Sequence, residues 1–229
     1  MIYIVILILL LFLLILGPQW WVRSVLRRYS REEPGFPGNG GELARHLLNR
    51  LSLQQVQVEP AAEGQGDHYD PEAAAVRLSP ANLQGRSLAA VVTAAHEVGH
   101  AIQHASGYPP FRWRMRLVGM ARVAERFGSF LLFAVPVLTL VTRAPSAGAV
   151  MFIAAAATLG VGLLVQLMTL PVEWDASFGR AMPLLESGYL EPSQLPAART
   201  ILRACALTYV AASLAGLLNF WRWMRFLRR

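Results

Sequence analysis

Long stretches without a charged residue constrain this chain more than any other feature of its sequence. Residues 1–22, 127–142 and 144–172 contain no Asp, Glu, Lys or Arg. Charged residues make up only 15% of the whole chain, against about 25% in typical soluble domains. A bilayer-spanning helix needs about 20 consecutive apolar residues. The first and third stretches are long enough, so the pattern favours a membrane protein.

The N-terminal run predicts a membrane anchor over residues 1–22. It lacks the basic start and the small-residue cleavage site of a secretory signal peptide. Gly17, Pro18 and two tryptophans end the run, and arginines follow from Arg23. That order is typical of a helix end on the cytoplasmic side of a membrane.

Residues 127–170 predict a transmembrane helical hairpin with a tight turn near Pro145. A buried hairpin of a soluble core is the alternative. Residues 204–221 form a last apolar run with four arginines after it. If this run spans the membrane, those arginines lie outside, against the positive-inside tendency. Whether it spans therefore stays open.

The residues between the anchor and the hairpin predict a small α+β region. Residues 41–53 have the apolar spacing of an amphipathic helix, and residues 55–59 and 75–78 are typical of short strands. Asp70 and Pro71 indicate a turn between them.

The most specific motif is HEVGH at residues 96–100, within a predicted helix at 88–106. Residues four apart lie on one helix face, about 6 Å apart along its axis. The imidazoles of His96 and His100 can therefore bind one zinc ion, while Glu97 reaches a water molecule on that ion. Burying these groups among Ala and Val is costly unless a metal compensates.

A hydrolytic zinc site has a third protein ligand and one open position. Glu173 is the candidate because a hairpin would return it to the membrane face of the motif, and Asp175 is the rival ligand. His104 is excluded because it lies about 12 Å along the helix from His96. A third histidine at position 106, the metzincin pattern, is replaced by Ser106.

Five segments together resemble one known family, the YugP-type neutral zinc metallopeptidases, which are bacterial membrane proteins. The matching segments are SLAAVVTAAHEVGHAIQ (87–103), DHYDP (67–71), RLSP (77–80), PVEWDAS (171–177) and ALTYVAASL (206–214). The resemblance covers nearly the whole chain. It implies a zinc cofactor and peptidase activity.

More distantly, the chain is similar to the heat-shock and CAAX-prenyl membrane metallopeptidases. In those families the ligand Glu is followed by Ala three residues on and Asp four residues on. Here Glu173 is followed by Ala176 and Ser177. The likeness supports Glu173 as ligand. Because Ser177 stands in place of that Asp, it stays open whether the carboxylate role survives, and Asp175 is the candidate to replace it.

The predicted fold is a mainly α membrane protein with an N-terminal anchor, a small α+β zincin-like domain, a transmembrane helical hairpin and a C-terminal apolar helix. The predicted organisation is an anchor at 1–22, a zincin-like domain at 23–126, the hairpin at 127–170, a helix with the third ligand at 171–200, and an apolar helix with a basic tail at 201–229.

The predicted function is membrane-bound zinc metallopeptidase, with His96, His100 and Glu173 as metal ligands and Glu97 as general base on a zinc-bound water. The expected partners are the lipid bilayer and protein or peptide substrates, membrane proteins among them. The expected location is the bacterial cell membrane, multi-pass, with the site at the cytoplasmic face. The alternatives are a site-2-type intramembrane protease and a zinc-stabilised scaffold without proteolytic activity.

Three side chains are candidates to stabilise the oxyanion, although packed side chains are the commoner finding at such positions: His68, Tyr69 and Tyr209. Nucleic acid is not an expected partner, because the arginines cluster beside apolar runs and form no basic groove with interleaved aromatics. Cys205 is the one cysteine, and we expect it to be a small core residue.

Overall fold

The structure is a computed structural model that describes residues 2–33, 35–121 and 168–208, together with residues 123, 153, 165 and 211. These residues belong to two compact units, one within Met1–Tyr108 and Val172–Arg229 and the other within Pro109–Pro171. In the second unit the chain is helical at 109–121, which we label α5.

The first unit begins with two helices, α1 (Ile2–Arg28) and α2 (Gly40–Arg50). Asn39 and Glu42 start α2 with a capping box, in which each side chain accepts a hydrogen bond from the other residue's backbone N–H. Three leucines of α2 are buried in the core: Leu43, Leu47 and Leu48. The helix predicted at 41–53 is confirmed, but it ends earlier, and Ser52 follows with a φ of 57°.

A three-stranded sheet follows, in the order β1 (Gln57–Pro60), β3 (Ala75–Leu78), β2 (His68–Asp70). The central strand β3 pairs with β1 in parallel and with β2 antiparallel. The strand predicted at 75–78 is present with the same bounds as β3, and the one predicted at 55–59 is present as β1 with shifted bounds. Strand β2 was not predicted. Both α4 and α2 pack against strands of this sheet.

Helix α4 (Leu88–Ala105) carries the HEVGH motif and follows the short α3 (Pro80–Gln84). The Ser87 hydroxyl accepts a hydrogen bond from the Ala90 N–H at 3.2 Å, as expected of an N-cap residue. Gly107 adopts a φ of 64°, which a glycine tolerates, just after the helix ends. Nearly every residue of α4 is buried, so it forms the centre of this unit.

A π-helix at Asp175–Ala181 packs on α4, directly after helical residues 168–174, which we label α6. It continues into α7 (Met182–Glu186), and residues 195–208 are helical again as α8. The i→i+5 turns of a π-helix are rare and often mark functional sites.

The prediction of a mainly α membrane protein was wrong. The described residues form an α+β fold, and among them no helix combines the length and the apolar character needed to cross a membrane. The apolar run at 1–22 belongs to a longer helix, in which Arg23 follows the run and Val22 and Val25 are buried. Hydropathy marks a segment as apolar but does not by itself specify a span, and the strand patterns at 55–59 and 75–78 were the signal for an α+β fold.

Other parts of that prediction lie outside the described residues. This applies to nearly all of the predicted hairpin at 127–170 and to most of the apolar run at 204–221. The predicted domain boundaries stay predictions.

Candidate metal centre

Two histidines of the HEVGH motif lie side by side in the buried interior. His96 and His100 are one helical turn apart on α4, and their ring centroids are 4.9 Å apart with planes at 77°. Only 3% and 5% of their surfaces are exposed. Both rings therefore lie on the face of α4 that the spacing predicted.

Glu173, from the end of α6, completes the cluster. Its Oε2 atom lies 3.2 Å from the His96 Nε2 and 3.1 Å from the His100 Nε2. The residue is fully buried. One carboxylate oxygen thus meets both imidazoles, although 73 residues separate Glu173 from His100 along the chain.

The spacing of these three atoms fits a zinc ion. Zinc binds nitrogen and oxygen at about 2.0–2.1 Å, so two ligand atoms on a tetrahedral ion lie about 3.3 Å apart. The two distances to Glu173 Oε2 are close to this value. Among the described residues, His96, His100 and Glu173 form the group that is placed to bind a metal ion.

The hydrogen bonds of Ser177 determine which nitrogen of His96 faces the cluster. The Ser177 Oγ donates its only hydrogen to the Leu202 carbonyl at 3.1 Å. It must therefore accept at 3.0 Å from the His96 Nδ1–H. In the neutral ring the Nε2 then has a free lone pair toward Glu173.

The hydrogen bonds of Gln103 determine which nitrogen of His100 faces the cluster. Its Nε2 amide donates to the Val172 carbonyl and to the Asp175 Oδ2, both at 2.8 Å. Its Oε1 therefore faces the His100 Nδ1 at 3.0 Å and accepts from it. Two imidazole lone pairs and a carboxylate oxygen thus converge, and they repel one another unless a proton or a metal cation lies among them.

The charge of Glu173 suits a metal ligand. Burial raises the pKa of its carboxyl group, but the positive charges and hydrogen bonds that His100 and His96 supply in their protonated form, when no metal lies among them, outweigh this effect. The pKa is therefore held below its usual value of 4.5. Glu173 is ionised at neutral pH as a result, which metal binding requires.

Residues 3–228 match the model of a family described as "putative neutral zinc metallopeptidase". The chain belongs to this family. It is also 34% identical over 213 residues to a Bacillus subtilis protein named "Putative membrane protease YugP", and the match covers 91% of each chain. No solved structure matches.

Zinc is the metal of this family of metallopeptidases. The donor set of two imidazoles and one carboxylate agrees with it, because such ligands are typical of zinc. The zinc cofactor predicted from the sequence is thus confirmed.

The structure separates the two candidates for the third ligand. Asp175 does not join His96 and His100; its Oδ2 accepts from Gln103 and, at 3.2 Å, from the Arg180 Nε. Ser177, rather than Asp175, contacts a ligand histidine directly. Asp175 reaches the other histidine, His100, only through Gln103, and whether it takes the part of the Asp in the heat-shock peptidases stays a prediction.

The other predicted residues lie as follows. Glu97 is 6% exposed beside His96 on α4. The Tyr69 hydroxyl bonds to the His104 Nδ1 at 2.9 Å, and burial with the nearby Asp70 charge raises the pKa of Tyr69 to about 12. Its phenol thus stays protonated at neutral pH. His104 is exposed and is not part of the metal-binding group.

The remaining oxyanion candidates find no support in the described contacts. The His68 Nδ1 bonds to the Gly66 carbonyl at 2.8 Å, and Tyr209 lies outside the described residues. Cys205 is buried, as expected of a core residue, with its sulfur 3.8 Å from the Thr93 hydroxyl. Burial and the Glu97 charge raise the pKa of the thiol, so it stays protonated.

Gln103 is the residue of the site that the sequence did not reveal. It occurs three residues beyond the motif, one turn from His100 on the same face. A polar residue in an otherwise apolar stretch of a buried helix was the available signal.

Proposed function

We propose that the protein is a zinc-dependent endopeptidase that cleaves protein or peptide substrates. The observation that supports this most is the convergence of the His96 Nε2, the His100 Nε2 and the Glu173 Oε2. Three protein ligands leave one position of a tetrahedral ion open for water or substrate, which is the arrangement of catalytic rather than structural zinc.

We assign the general base to Glu97. When bound, zinc polarises a scissile carbonyl and makes water more acidic. The Glu97 carboxylate takes a proton from the attacking water as the oxygen of that water bonds to the carbonyl carbon. It then passes that proton to the nitrogen of the leaving amine as the C–N bond breaks. Its position next to His96 and its burial support this role.

Two alternatives make different predictions. A site-2-type intramembrane protease takes its third ligand from an Asp-Gly pair, and the sequence contains none. The ligand set with Glu173 therefore disfavours it. A zinc-stabilised scaffold would use the same ligands but would have no need of Glu97.

The Glu97→Gln variant separates an enzyme from a scaffold. We expect it to bind zinc as the wild type does, because Glu97 is not a ligand. Cleavage of casein and of a membrane-protein substrate should fall by about 10²–10⁴-fold, the usual contribution of a general base. Metal content is measured by elemental analysis and cleavage by release of labelled peptide.

Glu186→Gln is the matched control, since Glu186 pairs with Arg199 at the surface and contacts no site residue in the described bonds. It should cleave at the wild-type rate. Cleavage by Glu97→Gln at that rate would refute the assignment of the base. Zinc binding without any cleavage by the wild type would favour the scaffold.

We also propose that the protein works at a membrane, without assigning it a spanning helix. The name of the Bacillus relative supports this location. Fractionation of lysed cells tests this location: the active protein should sediment with the membranes at high salt. Recovery of the activity in the supernatant would contradict the proposal. The predicted cytoplasmic face stays a prediction.

A further inference from the structure

Gln103 has a fully buried side chain whose amide makes three hydrogen bonds. Its two N–H groups go to the Val172 carbonyl and the Asp175 carboxylate, which only accept. Its oxygen goes to the His100 Nδ1. A buried amide with every group in use is held in one orientation, because turning it over would bring N–H against N–H and oxygen against oxygen.

The Asp175 carboxylate is the group that makes this orientation costly to reverse. It forms an ion pair with Arg180, with N···O at 3.2 Å. A hydrogen bond to an ionised acceptor is about twice as strong as one between neutral groups. The chain of bonds from Arg180 through Asp175 and Gln103 thus ends at the Nδ1 atom of His100.

Gln103 also contacts the segment that carries Glu173. Val172, whose carbonyl it binds, directly precedes Glu173 in the chain. One side chain on α4 is therefore bonded both to a ligand histidine and to the backbone that presents the ligand carboxylate.

We propose that Gln103 is a positioning residue of the metal centre: oriented by Asp175, it holds His100 with Nε2 toward the metal and fixes the segment of Glu173 beside it. It touches neither metal nor substrate. The proposal depends on the metal centre and not on peptidase activity, so failure of the proposed function would leave it standing.

The first test is the zinc affinity of purified full-length Gln103→Met, measured by competition with a chromophoric chelator at pH 8. Methionine has a similar length, and its thioether sulfur is only a weak acceptor for the His100 Nδ1–H. We expect zinc affinity to fall by about 10–100-fold, the usual loss when an outer partner of a ligand histidine is removed. In the zinc-loaded wild type, the His100 Nδ1–H should give a visible downfield signal in the proton NMR spectrum. In the variant this signal should be lost, because the proton has no strong acceptor and exchanges with water.

The second test is a rescue that does not depend on removing a buried polar group. In Gln103→Glu an oxygen replaces the donor that faces Asp175, so two carboxylates meet and zinc affinity should fall. Adding Asp175→Asn supplies an amide donor opposite the new carboxylate and should restore part of the affinity, since the Val172 carbonyl still faces that carboxylate. Asp175→Asn alone should change it by less than about fivefold, because its oxygen still accepts from Gln103 and the Arg180 pair is partly exposed.

Loss in both single Gln103 variants with recovery in the double variant supports the proposal. Wild-type zinc affinity in Gln103→Met would overturn it. So would a double variant that binds zinc no better than Gln103→Glu, since a purely steric role of Gln103 predicts no dependence on residue 175.

Discussion

At the scale of single residues, the metal centre depends on groups that do not touch the metal. The His96 ring is held through Nδ1 by Ser177, which passes its own hydrogen to the Leu202 carbonyl. The His100 ring is held through Nδ1 by Gln103. Both rings thereby present Nε2 to the same oxygen of Glu173, and neither needs to turn when a metal binds.

The Ser177→Ala variant tests the His96 half of this arrangement. We expect zinc affinity to fall by about tenfold, because the His96 Nδ1–H loses its acceptor. Chelator competition measures the change. The control is Ser187→Ala, an exposed serine whose hydroxyl donates to the Leu184 carbonyl, and it should bind zinc unchanged. An equal loss in both variants would speak against a specific role of Ser177.

The positions of the two helix histidines could be predicted from the sequence better than the position of Glu173. The positions of His96 and His100 follow from the helical period alone. The choice between Glu173 and Asp175 depends on the turn geometry of a segment 73 residues away, which local spacing does not specify. In the structure the Glu173 carboxylate lies at both histidines, whereas Asp175, at the start of the π-helix two residues later, bonds to Gln103 instead.

At the scale of elements, the centre requires α4 and the π-helix to lie very close together. A Cβ atom on Gly99 would lie 2.5 Å from the Ala176 backbone carbonyl oxygen. The glycine inside the HEVGH motif is therefore the point where the two helices meet. Because Glu173 lies two residues before the start of the π-helix, this contact also brings its carboxylate to the histidines.

The Gly99→Ala variant should push these helices apart. We expect it to lower the free energy of unfolding by about 1–3 kcal/mol, as overpacking of a core does, and to weaken zinc binding as well. Thermal and chelator titrations measure both. The control is Gly119→Ala in α5, where nothing lies within 4 Å of the added Cβ. It should be neutral or slightly stabilising, and an equal cost at both positions would refute the close-contact explanation.

The elements could be predicted where one signal dominates. Apolar spacing located α2, and α4 was predicted at 88–106, with ends shifted by a few residues at most. Strand β2 was missed because three residues with a turn on one side give too short an alternation to recognise. The π-helix was missed because a single π-turn within a helix has no distinctive sequence pattern.

At the scale of the whole molecule, the metal centre joins parts of the first unit that are distant in sequence. One ligand pair comes from α4 and the third ligand from residues that follow the second unit in the chain. The overall architecture was predicted wrongly because every long uncharged run was interpreted as evidence for a membrane protein. The helix that carries the HEVGH motif, and the common face of its two histidines, were predicted correctly because both follow from the geometry of one helix.

The zinc content of three proteins tests this arrangement most directly: wild type, Glu173→Ala and Asp175→Asn, each dialysed against the same zinc-buffered solution and analysed for metal per chain. We predict about one zinc per chain in the wild type and in Asp175→Asn. Glu173→Ala should lose affinity by more than the roughly 100-fold expected for an outer partner and emerge nearly metal-free. A full equivalent of zinc in folded Glu173→Ala, with metal lost from Asp175→Asn, would contradict the ligand set and move the third ligand to residue 175.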